Sequence, residues 1–305
     1  MSPSTHQGVG AVVVTFNPDL PRLNQVVASL SPQVSRIVVV DNGSTSAHEV
    51  RTLTKGFDAV EFLGLGENRG IAAALNEGVR RVLLNEPAWV LTMDQDTVVD
   101  PDGIESILTR FDDLDVAVRD EVGILAMRAH PQPSSIWITR YANRLLELGE
   151  LGSFTERRGV ITSGNLIRAD VARSTHFNDS LFIDQVDYDF CCAVRRRGRR
   201  VLLDRRISMD HILGERFNDT TRRHPYENAQ RTYYIIRNST YLVVRRRLPL
   251  RFYFAQLVVH CGSFVSMNGA RSVALGGAVV VRGVLDGVLA RLGRREYAFL
   301  ARGRR

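Results

Sequence analysis

Four Asp-x-Asp pairs punctuate this 305-residue chain: Asp94/Asp96, Asp100/Asp102, Asp113/Asp115 and Asp187/Asp189. Only the first closes an apolar run, Ala88 to Met93, that reads as a buried strand. Residues i and i+2 of an extended backbone project to the same side. Asp94 and Asp96 therefore face together beyond the strand's carboxyl end, where open α/β sheets bind ligands. Two carboxylates there suit Mg²⁺ or Mn²⁺, a hard cation that keeps positions open for phosphate oxygens. That is the grip a nucleotide-diphosphate leaving group needs. The pairs at Asp100/Asp102 and Asp113/Asp115 fall in a turn around Pro101 and in a solvated acidic loop.

A second acidic group lies at Phe182 to Phe190, where Asp184, Asp187 and Asp189 sit among aromatic residues. Apolar surroundings raise a carboxylate's proton affinity, which suits a general base for a sugar hydroxyl. Acids also gather at helix N-termini because the helix dipole favours them. Asp41 ends another apolar run and has two readings. It is the N-cap of the next helix, or the acceptor for the imide N–H of uracil or thymine. His211 follows a short strand at Arg200 to Leu203. A lone histidine is usually structural, yet a third metal ligand beside two carboxylates is chemically reasonable. His224 and His260 have no such context and read as structural.

The elements that must position these groups alternate through the first half. Strands are expected at Gly8–Val14, Arg36–Val40, Val60–Leu65 and around Trp89. Helices are expected from Leu20 to Leu30 and around Ile71, Leu75, Val79 and Val82. Strand, helix, strand without hairpin signals implies right-handed crossovers and a parallel sheet, with Thr15, Asp41 and Asp94 on one edge. Further on, Gly103–Phe111 reads as a helix, Val122–Ala126 as a strand, 128–158 as an irregular region over the site, and Val160–Arg168 as a strand. Helices follow at Asp187–Arg197 and Pro225–Arg247, then apolar segments interleaved with Arg251, Arg271, Arg282 and Arg291.

Composition narrows the class. Hydrophobic content of 44% and 24% charged residues are those of a globular protein. Three cysteines give neither a disulfide framework nor zinc spacing, so a reducing cytoplasm is the simplest setting. A first strand from about Val9 leaves no space for a signal peptide, and no apolar run has the roughly 18 residues of a membrane span. Charge is uneven. Residues 191–305 hold 24 Arg and no Lys against 7 acids, whereas 1–190 hold 16 basic residues against 26 acids. Such a split suggests an anionic partner, membrane surface or nucleic acid.

Five segments in order resemble glycosyltransferase family 2, and within it the bacterial rhamnosyltransferases of cell-surface polysaccharides. They are Val13–Pro18, Val39–Ser44, Glu67–Gly78, Leu91–Thr97 and Phe182–Asp187. Gln95 between the two carboxylates, Ser163–Ile167 and Tyr233–Asn238 carry the likeness to rhamnose enzymes. The resemblance covers about residues 9 to 240. It implies a GT-A fold, here an α/β, doubly wound, mostly parallel sheet with a helical, basic C-terminal appendage. The catalytic domain is expected over 1–220, with a nucleotide-sugar half to about 126 and an acceptor half over 127–220, followed by a helical region at 221–305.

The same resemblance implies an inverting enzyme whose donor site is Thr15, Asn17, Asp41, Asn68, Arg69 and Asp94. Asp96, Asp94 and His211 would be the ligands of Mg²⁺ or Mn²⁺, and Asp187 the general base. Val186 stands where the family usually has an acid. Asp184 therefore competes with Asp187 for the acceptor, with Gly164 and Asn165 as further acceptor-side residues. The implied donor is dTDP-β-L-rhamnose, the rival another dTDP- or UDP-sugar, and the acceptor a glycan or lipid-linked glycan. The basic tail would lie on the inner face of the cell membrane, or form a homo-oligomer through its helices. A nucleotidyltransferase would need a Gly-rich basic loop after the first strand, where Thr15-Phe16-Asn17-Pro18-Asp19 stands instead. Arg195–Arg197 and Arg245–Arg247 fit a nucleic-acid binder only superficially, since no recognition fold accompanies them, and no nucleic-acid partner is expected.

Overall fold

The structure, a computed structural model, describes residues 8–129, 137–211 and 229–301. Its first half runs β1 (Val9–Thr15), α1 (Leu20–Leu30), β2 (Arg36–Asp41), α2 (Ala47–Thr54), β3 (Val60–Gly64), α3 (Ile71–Val82) and β4 (Trp89–Asp94). The periodicity that predicts α1 also predicts its buried face, Leu23, Val26, Val27 and Leu30. Asp19 starts that helix by accepting a 2.8 Å hydrogen bond from the Arg22 amide. β5 (Thr97–Val98), α4 (Gly103–Asp112), α5 (Val116–Glu121) and β6 (Val122–Ala129) follow. Then come α6 (Trp137–Arg144), β7 (Glu147–Leu151), β8 (Phe154–Arg157), β9 (Asn165–Arg168) and α7 (Ala169–Ser174). α8 (Val186–Arg196) and β10 (Arg200–His211) complete the sheet. α9 (Ala229–Val244), α10 (Leu250–Asn268), α11 (Val273–Val288) and α12 (Ala298–Ala301) close the described chain.

The sheet order is β3-β2-β1-β4-β9-β6-β10-β8-β7, with β5 paired to β10. β3, β2, β1 and β4 are parallel, as the alternating pattern requires. β9 breaks the parallel run by inserting antiparallel between β4 and β6. Alternate residues along the central strands feed two cores. Val9, Ala11, Val13, Leu91 and Met93 pack with α1 and α4 on one face, and Val12, Val14, Val38, Val40 and Val90 with α3 and α8 on the other.

Several expectations need correction. Where described, the region 128–158 is not irregular: it holds α6 and a β7–β8 hairpin whose turn passes through Gly152 at φ 56°. The strand expected from Val160 starts only at Asn165, because Gly164 at φ 81° turns the chain just before it. β10 is far longer than Arg200–Leu203. It survives two register shifts against β6 and so reaches the Asp96 turn. The expected division near 126/127 falls inside β6, and the expected 220/221 boundary lies outside the described residues.

The C-terminal helices are built onto the sheet domain. α11 lies so close to α9 that a Cβ at Gly287 would overlap the Arg237 carbonyl oxygen and stand 2.7 Å from Thr240 Cβ. Gly287→Val should therefore cost about 1–3 kcal/mol through overpacking, read as a fall in Tm. An unchanged Tm would mean that the two helices do not meet in this way.

Candidate active site

The strand registers place the expected donor residues on one edge: Thr15 lies opposite Asp41, and Val14 opposite Asp94. Hydrogen bonds then tie the loops beyond those strands together. Asp41 is buried. It accepts from the Ser44 amide at 3.0 Å and from the Thr15 hydroxyl at 3.3 Å. It is not a helix cap, since Ser46 occupies that position for α2. Asn17, held at φ 48°, donates its amide to Ser44 Oγ at 2.8 Å, and its Oδ1 accepts from the Thr45 amide at 2.9 Å. Asn42 joins the third loop. Its Oδ1 accepts from the Arg69 amide at 2.9 Å, and its Nδ2 donates to Asn68 Oδ1 at 3.2 Å. Arg69 itself is exposed at the rim beside exposed Glu67 and half-buried Asn68, and its backbone is what the loop holds.

Asp94 and Asp96 are both half-buried at the end of β4. The Asp94 amide donates to Ser163 Oγ at 3.1 Å, and Arg22 Nε donates to the Asp96 carbonyl at 2.8 Å. Gln95, between them, accepts from the Phe16 amide at 2.7 Å and so latches the β4 turn to the β1 loop. β10 arrives antiparallel to β5, with the His211 backbone opposite Thr97, next in sequence to Asp96. The His211 side chain lies outside the described residues. Among the described residues no three His, Cys, Asp or Glu side chains surround one point. Asp94 and Asp96 offer two carboxylates, a chemistry that suits the Mg²⁺ or Mn²⁺ type of site completed by substrate phosphates and water.

The structure sorts the three acids of the 182–190 segment by their partners. Asp184 pairs with Arg231 of α9 at 3.1 Å. Asp189, buried, pairs with Arg247. Asp187 has no such guanidinium among the described residues; its Oδ1 accepts from the Tyr188 amide, at 2.9 Å. Burial, followed by the like charges of Asp184 and Asp94, raises its pKa from 3.8 to about 7. That value belongs to a base working near neutral pH, and the influence of Asp94 places the two acids within electrostatic reach. Burial also raises Asp184, with Arg231 opposing.

Gly164 and Asn165, expected on the acceptor side, are both buried, Gly164 in the turn before β9 and Asn165 at its start. The Gly164 amide donates to the Thr92 carbonyl at 2.8 Å, and Asn165 is registered with Thr92. They support the end of β4. His260 of α10 keeps its structural reading, pushed down to about 4 by burial and then by the Arg231 charge.

The loop that presents Asp187 is strained, with Phe182, Asp184 and Gln185 all at φ between 61° and 67°. Each such residue costs on the order of 1–3 kcal/mol and persists only when its surroundings hold it. Two residues whose role the sequence does not show do the holding. Asn238 Nδ2 donates to the carbonyls of Leu181, Ile183 and Asp184 at 2.7–3.0 Å. The fully buried Arg237 donates to the Leu181 carbonyl at 2.8 Å and to Asn238 Oδ1. Gly70, at φ 88°, lets the start of α3 approach the same loop, and the Ile71 amide donates to the Phe182 carbonyl at 2.8 Å. The one sequence signal for this support is an Arg-Asn pair inside the apolar run from Tyr233.

This geometry can be tested at two residues. The folded state binds the Asp187 proton more tightly than the unfolded chain, so ionising Asp187 between pH 4 and 7 weakens the fold. Without divalent ions, Asp187→Asn should be more stable than wild type at pH 8 by on the order of 1 kcal/mol and equal to it below pH 4. It should also lose about 10² or more of turnover; thermal melts and rates together check both. Asn238→Asp, equal in size, sets a carboxylate oxygen against three carbonyls. It should lower Tm and cut turnover about tenfold or more while leaving nucleotide affinity, read by titration calorimetry, within about twofold.

Comparison with known proteins agrees with this geometry. The model of the family described as "Glycosyl transferase family 2" matches residues 11–198. The chain is 26% identical over 255 residues to a dTDP-rhamnosyl transferase, RfbF, of Shigella flexneri, covering 83% of this chain and 86% of that one. Among solved structures, a mycobacterial protein superposes with a TM-score of 0.52 at 17% identity, covering 79% of this chain and 75% of its own. GalNAc-T7, solved with UDP, GalNAc and Mn²⁺, gives 0.51 at 12% identity over 80% of this chain. S. aureus TarS gives 0.50 at 11% identity over 92%. The chain spans about half the length of those last two, 52% and 55%. The sheet with its flanking helices is a GT-A fold, and the chain belongs to glycosyltransferase family 2.

Proposed function

We propose that this glycosyltransferase moves L-rhamnose from dTDP-β-L-rhamnose to a hydroxyl of a cell-surface polysaccharide or lipid-linked glycan precursor, with inversion and with a divalent ion. The observation that carries the chemistry is Asp187, the acid of its segment without a guanidinium partner among the described residues, raised to about 7 by burial. The choice of donor is supported by the dTDP-rhamnosyl transferase activity for which the Shigella flexneri relative is named.

In this reading the Asp41 edge receives the thymine ring, and the Asn17, Asn68 and Arg69 loops surround the nucleotide. Asp94 and Asp96, with His211 as a further ligand, would hold Mg²⁺ or Mn²⁺. When bound, such an ion neutralises the charge that grows on the departing diphosphate. Asp187 takes the proton of the acceptor hydroxyl as that oxygen attacks the anomeric carbon from the face opposite the diphosphate. A β-linked donor thereby yields an α-linked product. Asp184, neutralised by Arg231, flanks the acceptor. The enzyme works in the cytoplasm against the inner face of the cell membrane, where lipid-linked acceptors are presented.

A donor screen tests the proposal. Full-length protein with Mn²⁺ or Mg²⁺ and a generic hydroxyl acceptor should release dTDP from dTDP-rhamnose at least about tenfold faster than UDP from UDP-sugars. Chelation with EDTA should abolish the release. Faster release of UDP would overturn the choice of donor, and full activity in EDTA would overturn the metal.

A further inference from the structure

α11 is polarised in the opposite sense to a helix resting on a protein surface. Its inward side carries the charge. Asp286 is fully buried and accepts from the Tyr233 and Tyr297 hydroxyls at 2.7 Å each and from Arg282 Nε at 3.0 Å. Its outward side carries none. Val273, Val281, Leu285 and Val288 are 50–60% exposed, and the exposed positions between them on the helix are Ala274, Gly277 and Ala278. This stripe runs the 16-residue helix, about 24 Å. α10 adds Leu250, Phe254 and Val258, spaced four apart and equally exposed. An exposed apolar stripe of the length of α11 marks an interaction site.

Flanking charge selects the partner. From Arg245 to Glu296 the sequence holds nine Arg, no Lys and two acids, the buried Asp286 and the exposed Glu296. Glu296 pairs with Arg294 at 2.8 Å, while Arg247 pairs with Asp189. Arg251 is exposed at the start of α10 and Arg291 just beyond the end of α11. A second copy meeting this face through a two-fold axis would set like charges against each other. Anionic headgroups complement them, at about 1 kcal/mol for each basic residue near the surface. No helix among the described residues is long and apolar enough to cross a membrane, so the apolar face meets lipid lying flat.

We propose that the outward face of α11 docks on an anionic bilayer. Val281 and Leu285 sink into the boundary between headgroups and acyl chains, and the flanking arginines contact lipid phosphates. The proposal goes beyond a general location at the membrane and is independent of donor chemistry, because vesicle binding is read without any sugar nucleotide.

The test uses the full chain with phosphatidylglycerol-containing and pure phosphatidylcholine vesicles in co-sedimentation. Binding to the anionic vesicles alone, falling with salt, is expected. Val281→Glu with Leu285→Glu should weaken it at least about tenfold while metal-dependent donor turnover in solution stays within about twofold. A separate Val281→Trp variant, which adds no charge, should shift its emission to the blue on anionic vesicles and be quenched by brominated lipid. The proposal is overturned by absent wild-type binding, by unimpaired binding of the double Glu variant, or by unchanged Val281→Trp emission. It is equally overturned if the Glu substitutions split a dimer and leave vesicle binding intact.

Discussion

The grip of α9 on the segment from Leu181 to Asp189 is the interaction on which the geometry of the candidate site rests. Three backbone carbonyls of that segment share one amide group, Asn238 Nδ2, and two of its three carboxylates at 184, 187 and 189 take guanidinium partners, Arg231 and Arg247. Without those donors the left-handed residues Phe182, Asp184 and Gln185 would relax, and Asp187 would have no fixed direction. The same contacts leave Asp187 as the one of the three without a guanidinium partner among the described residues, and its burial, ahead of the like charge of Asp184, raises its pKa.

The donor edge follows a different logic. There, short polar side chains on loops beyond parallel strands bond to one another, Asn17 to Ser44 and Thr45, Asn42 to Asn68 and Arg69, Gln95 to Phe16. None of these bonds is strong by itself, each contributing roughly 1 kcal/mol net. Together they fix four loop ends relative to one another, and a rigid rim presents backbone and side-chain groups without the entropy cost of ordering them on binding.

The legible part of this chain is the part governed by local period. β1 through β4, α1 and α3 can be read directly, because one face of each is buried against a sheet whose strands are neighbours in sequence. The Asp94/Asp96 pair is legible for the same reason. What escapes depends on distant partners. β9 is short and antiparallel, and its apolar residues look like those of any core strand. The partners of Asp184 and Asp189 stand 47 and 58 residues away, so three acids look equivalent in sequence where space distinguishes them. The arginines of the last third read as a generic basic tail, yet Arg231, Arg237 and Arg247 hold the segment from Leu181 to Asp189.

The close passage of α11 over α9 at Gly283 and Gly287 has a consequence for the order in which the molecule becomes active during synthesis. Chains emerge N-terminus first and fold by units as they appear. The sheet and the donor edge are complete once β10 has been made, whereas α9 is clamped only after α11 has followed it. A nascent chain thus passes through a stage at which the edge beyond β1 to β4 is formed and the segment from Leu181 to Asp189 is not yet held. The order of that segment comes last, set by helices that emerge after the sheet.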